Sequence, residues 1–282
     1  MADYNVITAI ENFAISPDFG LIERDGVVVN KANAIGESLE DFVKKFLAHR
    51  LSSKETLKDL EHFQNVFSYL GNANNPPDMI LRNGDAIEVK KVQSKSARLA
   101  LNSSFPKNKL FASDSRILDS CRNCEDWTEK DIFYVVGNVL KGSNHVKHLW
   151  LVHGSCYAAN KGSYERIAKT ITHGVQSIDG LEVDTETNEL SGVKKVDPLG
   201  ITNLRVRGMW GIDHPSKVFS YIYQQPTNTR FSLSCIITED KFNALLPAGF
   251  TFKNTTVSDV KIKNPNAPVD LLDAKLLTFS IK

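Results

Sequence analysis

The 282-residue sequence lacks the features that mark membrane, secreted and disulfide-stapled proteins. It contains no apolar run near the roughly 18 residues that span a bilayer, and its start does not have the order of a secretory signal. Its four cysteines, Cys121, Cys124, Cys156 and Cys235, are too few and too scattered for a disulfide scaffold in a chain of this length. We therefore expect a soluble cytoplasmic protein with reduced thiols and no membrane partner.

The sequence also lacks an excess of either charge. Its 34 Lys and Arg residues against 33 Asp and Glu residues give a net charge of +1. A protein that coats nucleic acid nonspecifically is usually much more basic, although a local basic groove is sufficient for a specific binder. The hydrophobic fraction of 41% is ordinary for a globular protein, so the chain is able to form a sizeable core.

Periodicity predicts a mixed α/β core within a single domain over residues 1–282. Up to about residue 180 the patterns predict, in order, a helix over 30–50, a strand over 62–71, a hairpin of strands over 78–82 and 86–92, a helix over about 114–127, strands over 131–140 and 146–154, and a helix over 164–178. Beyond residue 180 they predict strands over 203–210 and 230–238, a helix near 217–223, and a tail rich in Pro and Asn.

The hairpin carries the chemistry of most interest. A three-residue loop, with Gly84 in the left-handed conformation of a bulge, pairs Leu81 with Asp85 and sets Asp78 opposite Glu88. A two-residue loop instead places the two acids on opposite faces of the hairpin. We expect the three-residue loop, which also puts Lys90 on the same face as both acids.

Two opposed carboxylates repel each other unless a cation lies between them or one of them holds a proton. Asp78 and Glu88 are therefore predicted to bind Mg²⁺, which prefers oxygen ligands and assists the attack of water on a phosphodiester. Lys90 is predicted to orient the attacking water or to neutralise charge. Glu40 lies near the border of the apolar face of the helix over 30–50, so it is a fourth candidate catalytic residue.

The triplet acid-x-Lys carries little information by itself, because it recurs at residues 239–241, 259–261 and 273–275. The specific signal is the combination: Pro77-Asp78, nine intervening residues, Glu88-x-Lys90 in an apolar strand, and an amphipathic helix with Glu40 upstream.

With these motifs the chain resembles the PD-(D/E)xK nucleases, and more closely the NgoPII-like type II restriction endonucleases. The resemblance covers most of the chain and rests on the stretches "FSYLGNANNPPDMILRNGDAIEVKK", "LALNSSFPKNKL", "KVDPLGITNLRVRGMWGI" and "KIKNPNAPVDL" followed closely by "DAKL". Such long shared stretches are much more specific than the catalytic motif.

The resemblance implies a bacterial homodimer that uses Mg²⁺ to cut double-stranded DNA at a short palindrome, with GGCC as the expected site. By position, Asp78 and Glu88 are the metal ligands and Lys90 is the catalytic lysine. It also implies a PD-(D/E)xK core with a mixed central sheet flanked by helices over about residues 30–180, a C-terminal α+β extension for DNA recognition and dimerisation over about residues 181–282, and a partner DNA methyltransferase.

A second set of residues is expected to bind the DNA. Arg205 and Arg207 alternate with Leu204 and Val206, and arginine is well suited to guanine in the major groove, although phosphate contact is an equally good interpretation. Basic and polar side chains after the catalytic strand are candidates for holding the DNA, unless they belong to a solvated loop: Lys91, Lys95, Arg98, Asn102, Ser103 and Lys107.

Two other functions remain open from the sequence. A repair or recombination nuclease with the same core would favour nicked, mismatched or branched DNA over a palindrome. A DNA-binding or assembly module would keep the fold without catalysis, but such a protein has no evident need for two opposed carboxylates.

Overall fold

The structure is a computed structural model that describes residues 4–19, 31–50, 57–72, 75–94, 96–184 and 189–282, without the side chains of residues 31–38 and 102. The helices in these ranges are α1 (Val6–Ile15), α2 (Lys31–Leu47), α3 (Leu57–Val66), α4 (Asp119–Arg122), α5 (Gly154–Tyr157), α6 (Lys161–Gln176), α7 (Pro215–Val218) and α8 (Glu239–Leu245). The strands are β1 (Phe67–Asn72), β2 (Asn75–Leu81), β3 (Ala86–Val92), β4 (Leu99–Asn102), β5 (Lys109–Phe111), β6 (Glu129–Asn138), β7 (His148–His153), β8 (Glu182–Val183), β9 (Ser191–Lys194), β10 (Leu204–Val206), β11 (Trp210–Ile212), β12 (Phe231–Thr238), β13 (Thr256–Asn264) and β14 (Ala267–Ile281).

A large mixed sheet dominates the described part of the chain. Its strand order is β1-β2-β3-β6-β7-β12-β14-β13, and β5 pairs with β6 beside this path. The pairs β3–β6 and β7–β12 are parallel, and the other neighbours are antiparallel. Two smaller sheets have the orders β10-β9-β8 and β11-β4. The predicted mixed α/β architecture, with a central sheet flanked by helices, is therefore confirmed.

Each face of the central sheet carries its own apolar core. One core joins α1, α2 and α3 to alternate residues of the strands, including Ile87 and Val89 of β3. The other contains Ala86 and Val92 of the same strand, because successive side chains of a strand point to opposite faces. At Gly137 of β6 a Cβ atom would lie 2.6 Å from the side chain of Leu39, so this glycine allows α2 to pack closely on the sheet.

Several local predictions are confirmed by these elements, namely the helix over 30–50, the hairpin, the strands over 131–140, 146–154 and 230–238, and the helix over 164–178. The strand over 62–71 is wrong in its first half, because residues up to Val66 belong to α3 and the strand begins at Phe67. Phe63 and Val66, three positions apart, are both buried on one face of that helix.

The predicted helix over about 114–127 is wrong except for the single turn α4. Side-chain bonds to the backbone compete with a helix in this segment. The Asp114 carboxylate accepts from the Arg116 N–H at 2.9 Å, and the Arg122 guanidinium donates to the carbonyl oxygens of Ala112 and Asp114. The chain therefore turns here instead of forming a helix.

The segment after residue 180 differs most from the expectation. The predicted strand over 203–210 is divided between β10 and β11, and the helix near 217–223 is the single turn α7. The long hairpin β13–β14 was not predicted, and it pairs through β12 with β7 of the central sheet. Within the described ranges, no helix is long and apolar enough to cross a membrane.

Candidate active site

The loop of the β2–β3 hairpin has three residues, as predicted. The Leu81 N–H donates to the Asp85 carbonyl at 3.0 Å, and the Gly84 N–H donates to the Leu81 carbonyl at 2.8 Å. The left-handed position was assigned to the wrong residue, because it is Asn83, with φ of 54°, that adopts it. Asparagine tolerates this conformation better than most residues with a side chain.

The register of the hairpin is the predicted one. Met79 pairs with Ile87, which places Asp78 against Glu88 one step further along the strands. The Asp78 side chain approaches β3 so closely that its Oδ2 accepts from the Val89 N–H at 2.5 Å. Both acids therefore lie on the same face of the sheet.

Lys90 completes this face, two residues beyond Glu88. Its Nζ donates to Glu88 Oε1 at 2.6 Å, and both side chains are mostly shielded from solvent. A cavity of about 550 Å³ opens above them, and Asp78, Glu88 and Lys90 all contribute to its wall. The hairpin thus brings two carboxylates and one amine together in a space that is large enough for a phosphodiester group.

Burial and the neighbouring Glu88 carboxylate raise the pKa of Asp78 well above its ordinary value, although Lys90 and the Val89 N–H oppose this. Burial by itself lowers the pKa of Lys90, but the Glu88 and Asp78 carboxylates outweigh burial and raise it. Lys90 is therefore charged at neutral pH. The charge of Glu40 contributes to both shifts, which places this residue of α2 within electrostatic range of the site.

The two carboxylates fit a divalent metal ion in one specific respect. The Oε2 atom of Glu88 is buried and accepts no hydrogen bond, whereas its Oε1 is bound to Lys90. An oxygen of this kind is a suitable ligand for a hard cation. In the described residues no cluster of three or more His, Cys, Asp and Glu side chains is arranged to hold a metal ion.

Comparison with known proteins identifies the family to which this geometry belongs. The type II restriction enzyme NgoPII of Neisseria gonorrhoeae is 46% identical to the chain over 288 residues, which cover 98% of the chain and 100% of the relative. The model of the NgoPII restriction endonuclease family matches residues 4–267. The chain belongs to this family. It is a type II restriction enzyme, which acts on DNA. No solved structure matches it.

The other acid-x-Lys triplets of this restriction enzyme occupy a different environment. On the β13–β14 hairpin, Lys261 contacts Asp273 at 2.5 Å and Lys275 contacts Asp259 at 2.5 Å. The carboxylates of Asp259 and Asp273 are 85% and 62% exposed, so these pairs are surface ion pairs outside the cavity.

The described members of the candidate DNA-binding set that begins at Lys91 in β3 do not lie together. Ser103 lines the cavity beside the acids. Lys91 follows Val89 on the other face of β3, away from Lys90, and burial lowers the pKa of Lys91. Arg98 is exposed and contacts the Asp213 carboxylate at 3.1 Å.

The three remaining candidates of this set have other environments. Lys107 is buried, and its Nζ donates to the Asp114 carboxylate, so it is already paired within the protein. The backbone of Asn102 pairs with Trp210 between β4 and β11. Lys95 lies outside the described residues. The DNA-binding role of all six residues stays a prediction.

Arg205 lies in β10 of the small sheet formed by β8, β9 and β10, and Arg207 directly follows β10. Both are exposed, and both donate to the same oxygen, Oε1 of Glu189, from Nη2 of Arg205 at 3.3 Å and from Nε of Arg207 at 2.8 Å. Only Arg207 also lines the cavity that contains the acids.

The sequence did not identify several residues that line the cavity with Asp78 and Glu88: Asn72, Asn75, Ser115, Arg116 and Glu189. Most of them lie on loops or strand ends whose position depends on the tertiary fold. Glu189 carried a usable signal, because an acid precedes the short strand β9, and two arginines follow, one within β10 and one directly after it. Opposite charges on neighbouring strands favour antiparallel pairing.

A second cluster of charged residues lies at the loop end of the β2–β3 hairpin. The Lys241 ammonium of α8 contacts the Asp85 carboxylate at 2.5 Å and the Asp131 carboxylate at 2.8 Å. Burial raises the pKa of Asp85, and Lys241 only partly opposes this. The His153 ring and Lys241 overcome the effect of burial on Asp131 and lower its pKa. This cluster attaches the hairpin loop to the C-terminal part of the chain.

Proposed function

We propose that the chain is a Mg²⁺-dependent endonuclease with a PD-(D/E)xK core that cuts double-stranded DNA at a short palindrome. The single observation that carries this proposal is the convergence of Asp78, Glu88 and Lys90 on one cavity wall, with Asp78 raised in pKa by burial and by Glu88. Two acids that disfavour each other's charge are expected where a cation is to be bound.

In this proposal Asp78 and Glu88 hold the metal ion through the Asp78 carboxylate and the buried Oε2 of Glu88. A bound Mg²⁺ ion supplies Lewis acidity toward a phosphate oxygen and lowers the pKa of a coordinated water. Lys90 remains charged and donates a hydrogen bond to the attacking water or to a phosphate oxygen. Glu40 adds negative charge near the site and is proposed as an additional acidic residue of the catalytic centre.

The substrate and partners follow from the family resemblance. GGCC is the expected recognition site, and a homodimer is expected because a palindrome has two-fold symmetry, so that each chain reads one half-site and cuts one strand. The C-terminal extension over about residues 181–282 is proposed to contribute DNA recognition and dimer contacts. A DNA methyltransferase that modifies the same site is the expected functional partner in the bacterial cytoplasm.

The candidate DNA contacts are proposed in two groups. Arg205 and Arg207, which are both exposed, are proposed to contact bases or phosphates. The residues after β3 are proposed to hold the DNA backbone near the cut: Lys91, Lys95, Arg98, Asn102, Ser103 and Lys107.

The test is incubation of unmethylated phage DNA with the protein and Mg²⁺, followed by sequencing of the fragment ends. We expect discrete fragments whose ends share one palindrome, and no cleavage by Asp78→Ala. The matched control is Asp259→Ala, which removes the acid of another acid-x-Lys triplet on an exposed strand and should cut like the wild type. Undiminished cleavage by Asp78→Ala, or preference for branched over palindromic DNA, would overturn the proposal.

A further inference from the structure

Glu189 is an acid beneath two arginines on the small sheet. Its side chain is only 8% exposed, whereas those of Arg205 and Arg207 are 69% and 61% exposed. Both guanidinium groups bind Oε1 of this carboxylate. Two exposed guanidinium groups are therefore bound to one carboxylate that is itself shielded from solvent.

The backbone brings the two chain segments of this cluster together. Strands β9 and β10 are antiparallel, with Val206 opposite Ser191. The Leu190 N–H continues the ladder by donating to the Val206 carbonyl at 3.0 Å. The same register sets Leu190 opposite Arg207 and Glu189 opposite Gly208, so the pairing brings Glu189 close to Arg207 and the side-chain bond at 2.8 Å makes the contact.

The Glu189–Arg207 pair belongs to the same cavity as the catalytic acids. Both residues line the cavity of about 550 Å³ to which Asp78, Glu88 and Lys90 also contribute. Arg205 does not line it. Arg207 therefore brings a permanent positive charge to the wall of the space where a phosphodiester would be cut.

The bond geometry at Arg207 restricts how that charge is presented. Glu189 accepts from Nε at 2.8 Å, which fixes the guanidinium group on one edge. The two Nη atoms lie on the other edges of the planar group, and paired N–H donors of this kind match phosphate oxygens. A carboxylate this close to DNA repels the phosphates, so its presence does not favour affinity by itself.

We propose that Glu189 is a positioning residue, which holds Arg207 so that the guanidinium group donates to the DNA phosphate at the catalytic cavity. This inference rests on the proposed function, because it requires Asp78 and Glu88 to be the cutting centre. It assigns Arg207 to a phosphate and leaves Arg205 as the residue available for base reading.

The test compares Glu189→Gln, Arg207→Ala and the double variant with the wild type on a DNA duplex that contains one GGCC site. We expect Glu189→Gln to lower kcat by about tenfold, the effect of weakening one charge-assisted hydrogen bond. Its DNA affinity, measured in EDTA, should stay the same or increase because a negative charge is lost. The double variant should have the kcat of Arg207→Ala, because Glu189 acts through Arg207.

Two further measurements test whether Arg207 contacts a phosphate and whether its planar guanidinium group is required. Arg207→Ala should reduce the slope of log affinity against log salt concentration by about 0.9, the value for one phosphate contact on duplex DNA. Arg207→Lys keeps the charge on an exposed side chain but cannot reproduce the planar bond, so it should keep the salt slope and still lose kcat. This variant tests the inference even if Glu189→Gln does not fold.

The matched control is Glu182→Gln in the same small sheet. Glu182 contacts Lys195 at 2.8 Å and does not line the catalytic cavity, so its loss should leave kcat at the wild-type value. Wild-type kcat in both Glu189→Gln and Arg207→Lys would overturn the inference. So would a double variant whose loss is the product of the two single losses.

Asp78→Ala, measured in parallel, distinguishes failure of the proposed function from failure of the inference on Glu189. If Asp78→Ala cuts like the wild type, the proposed function fails. If Asp78→Ala is inactive while Glu189→Gln and Arg207→Lys cut like the wild type, the function stands and only the inference on Glu189 fails.

Discussion

The sharpest prediction concerns the repulsion between the two carboxylates of the hairpin. We expect Asp78→Asn to stabilise the metal-free protein, although it removes a proposed catalytic group. Asparagine has nearly the same shape, and its amide oxygen is able to accept from the Val89 N–H as Asp78 does at 2.5 Å. What changes is one negative charge beside Glu88.

The magnitude follows from Coulomb's law. Directly opposed residues in an antiparallel pair have Cβ atoms about 5 Å apart. At an effective dielectric constant of about 20, two unit charges at this separation repel by about 3 kcal/mol. Lys90, at 2.6 Å from Glu88, neutralises part of this, so we expect a gain of about 1–2 kcal/mol. For a chain of this size the melting temperature should rise by about 2–6 °C.

The dependence on pH has a definite sign. A carboxyl group whose pKa is raised in the folded state contributes stability that is complete below its unfolded value and is lost as pH rises through the folded value. The unfolded value for Asp78 is 3.8, and the folded pKa lies well above it. The advantage of Asp78→Asn in EDTA should therefore be small near pH 4 and should increase as the pH is raised.

The assay is thermal unfolding in EDTA and in Mg²⁺ over a range of pH. Mg²⁺ at ten times its dissociation constant stabilises the wild type by about 1.4 kcal/mol, and the variant, which has lost one ligand, should gain less. The control Asp259→Asn should show neither effect, because its carboxylate is exposed. A variant that is less stable than the wild type in EDTA, or that responds equally to Mg²⁺, would refute the reasoning.

Three further changes test other parts of the structure. Lys90→Met should lower kcat by about 10²–10⁴-fold with little change in DNA affinity. Single-turnover cleavage measures the first quantity, and a binding assay in EDTA measures the second. Equal losses of kcat and of DNA affinity would contradict a catalytic role of Lys90. Lys241→Met should destabilise the protein by about 3–5 kcal/mol in urea unfolding because it leaves the buried Asp85 carboxylate unbalanced, and adding Asp85→Asn should recover part of the loss. Gly137→Ala should lower the free energy of unfolding by about 1–3 kcal/mol because the new methyl group displaces Leu39 of α2. Gly162→Ala is the control and should not destabilise the protein, because no atom lies near the position of the new methyl group. Equal effects of the two substitutions would contradict the packing argument.

The hairpin was predictable because its determinants are local. Turn chemistry selected a three-residue loop, and the period of two then decided which side chains share a face. Only the residue in the left-handed conformation was wrong, since Asn83 and Gly84 both tolerate it. A local error of one residue left the register, and hence the relation of Asp78 to Glu88, unchanged.

The rest of the fold depends on partners that are distant in sequence. The aromatic run from His62 predicts a strand, but its first residues complete α3 because Phe63 and Val66 bury one helical face. The polar tail predicted after residue 238 contains the strands β13 and β14. Many side chains of these two strands are exposed, so their sequences lack the apolar pattern that marks a buried strand. Glu189 lines the cavity because the tertiary fold brings the segment before β9 beside Asp78 and Glu88, and the charge pattern alone does not indicate that position.

The pairing of β7 with β12 has a consequence for the order of protein synthesis. Thr238 at the end of β12 is 85 residues further along the chain than its contact His153 at the end of β7. While the ribosome makes the intervening segment, β7 has one unpaired edge, and Lys241 is not yet available to Asp85. A nascent chain of this design therefore exposes an apolar strand edge until β12 has been made, and this edge is prone to aggregation at that stage.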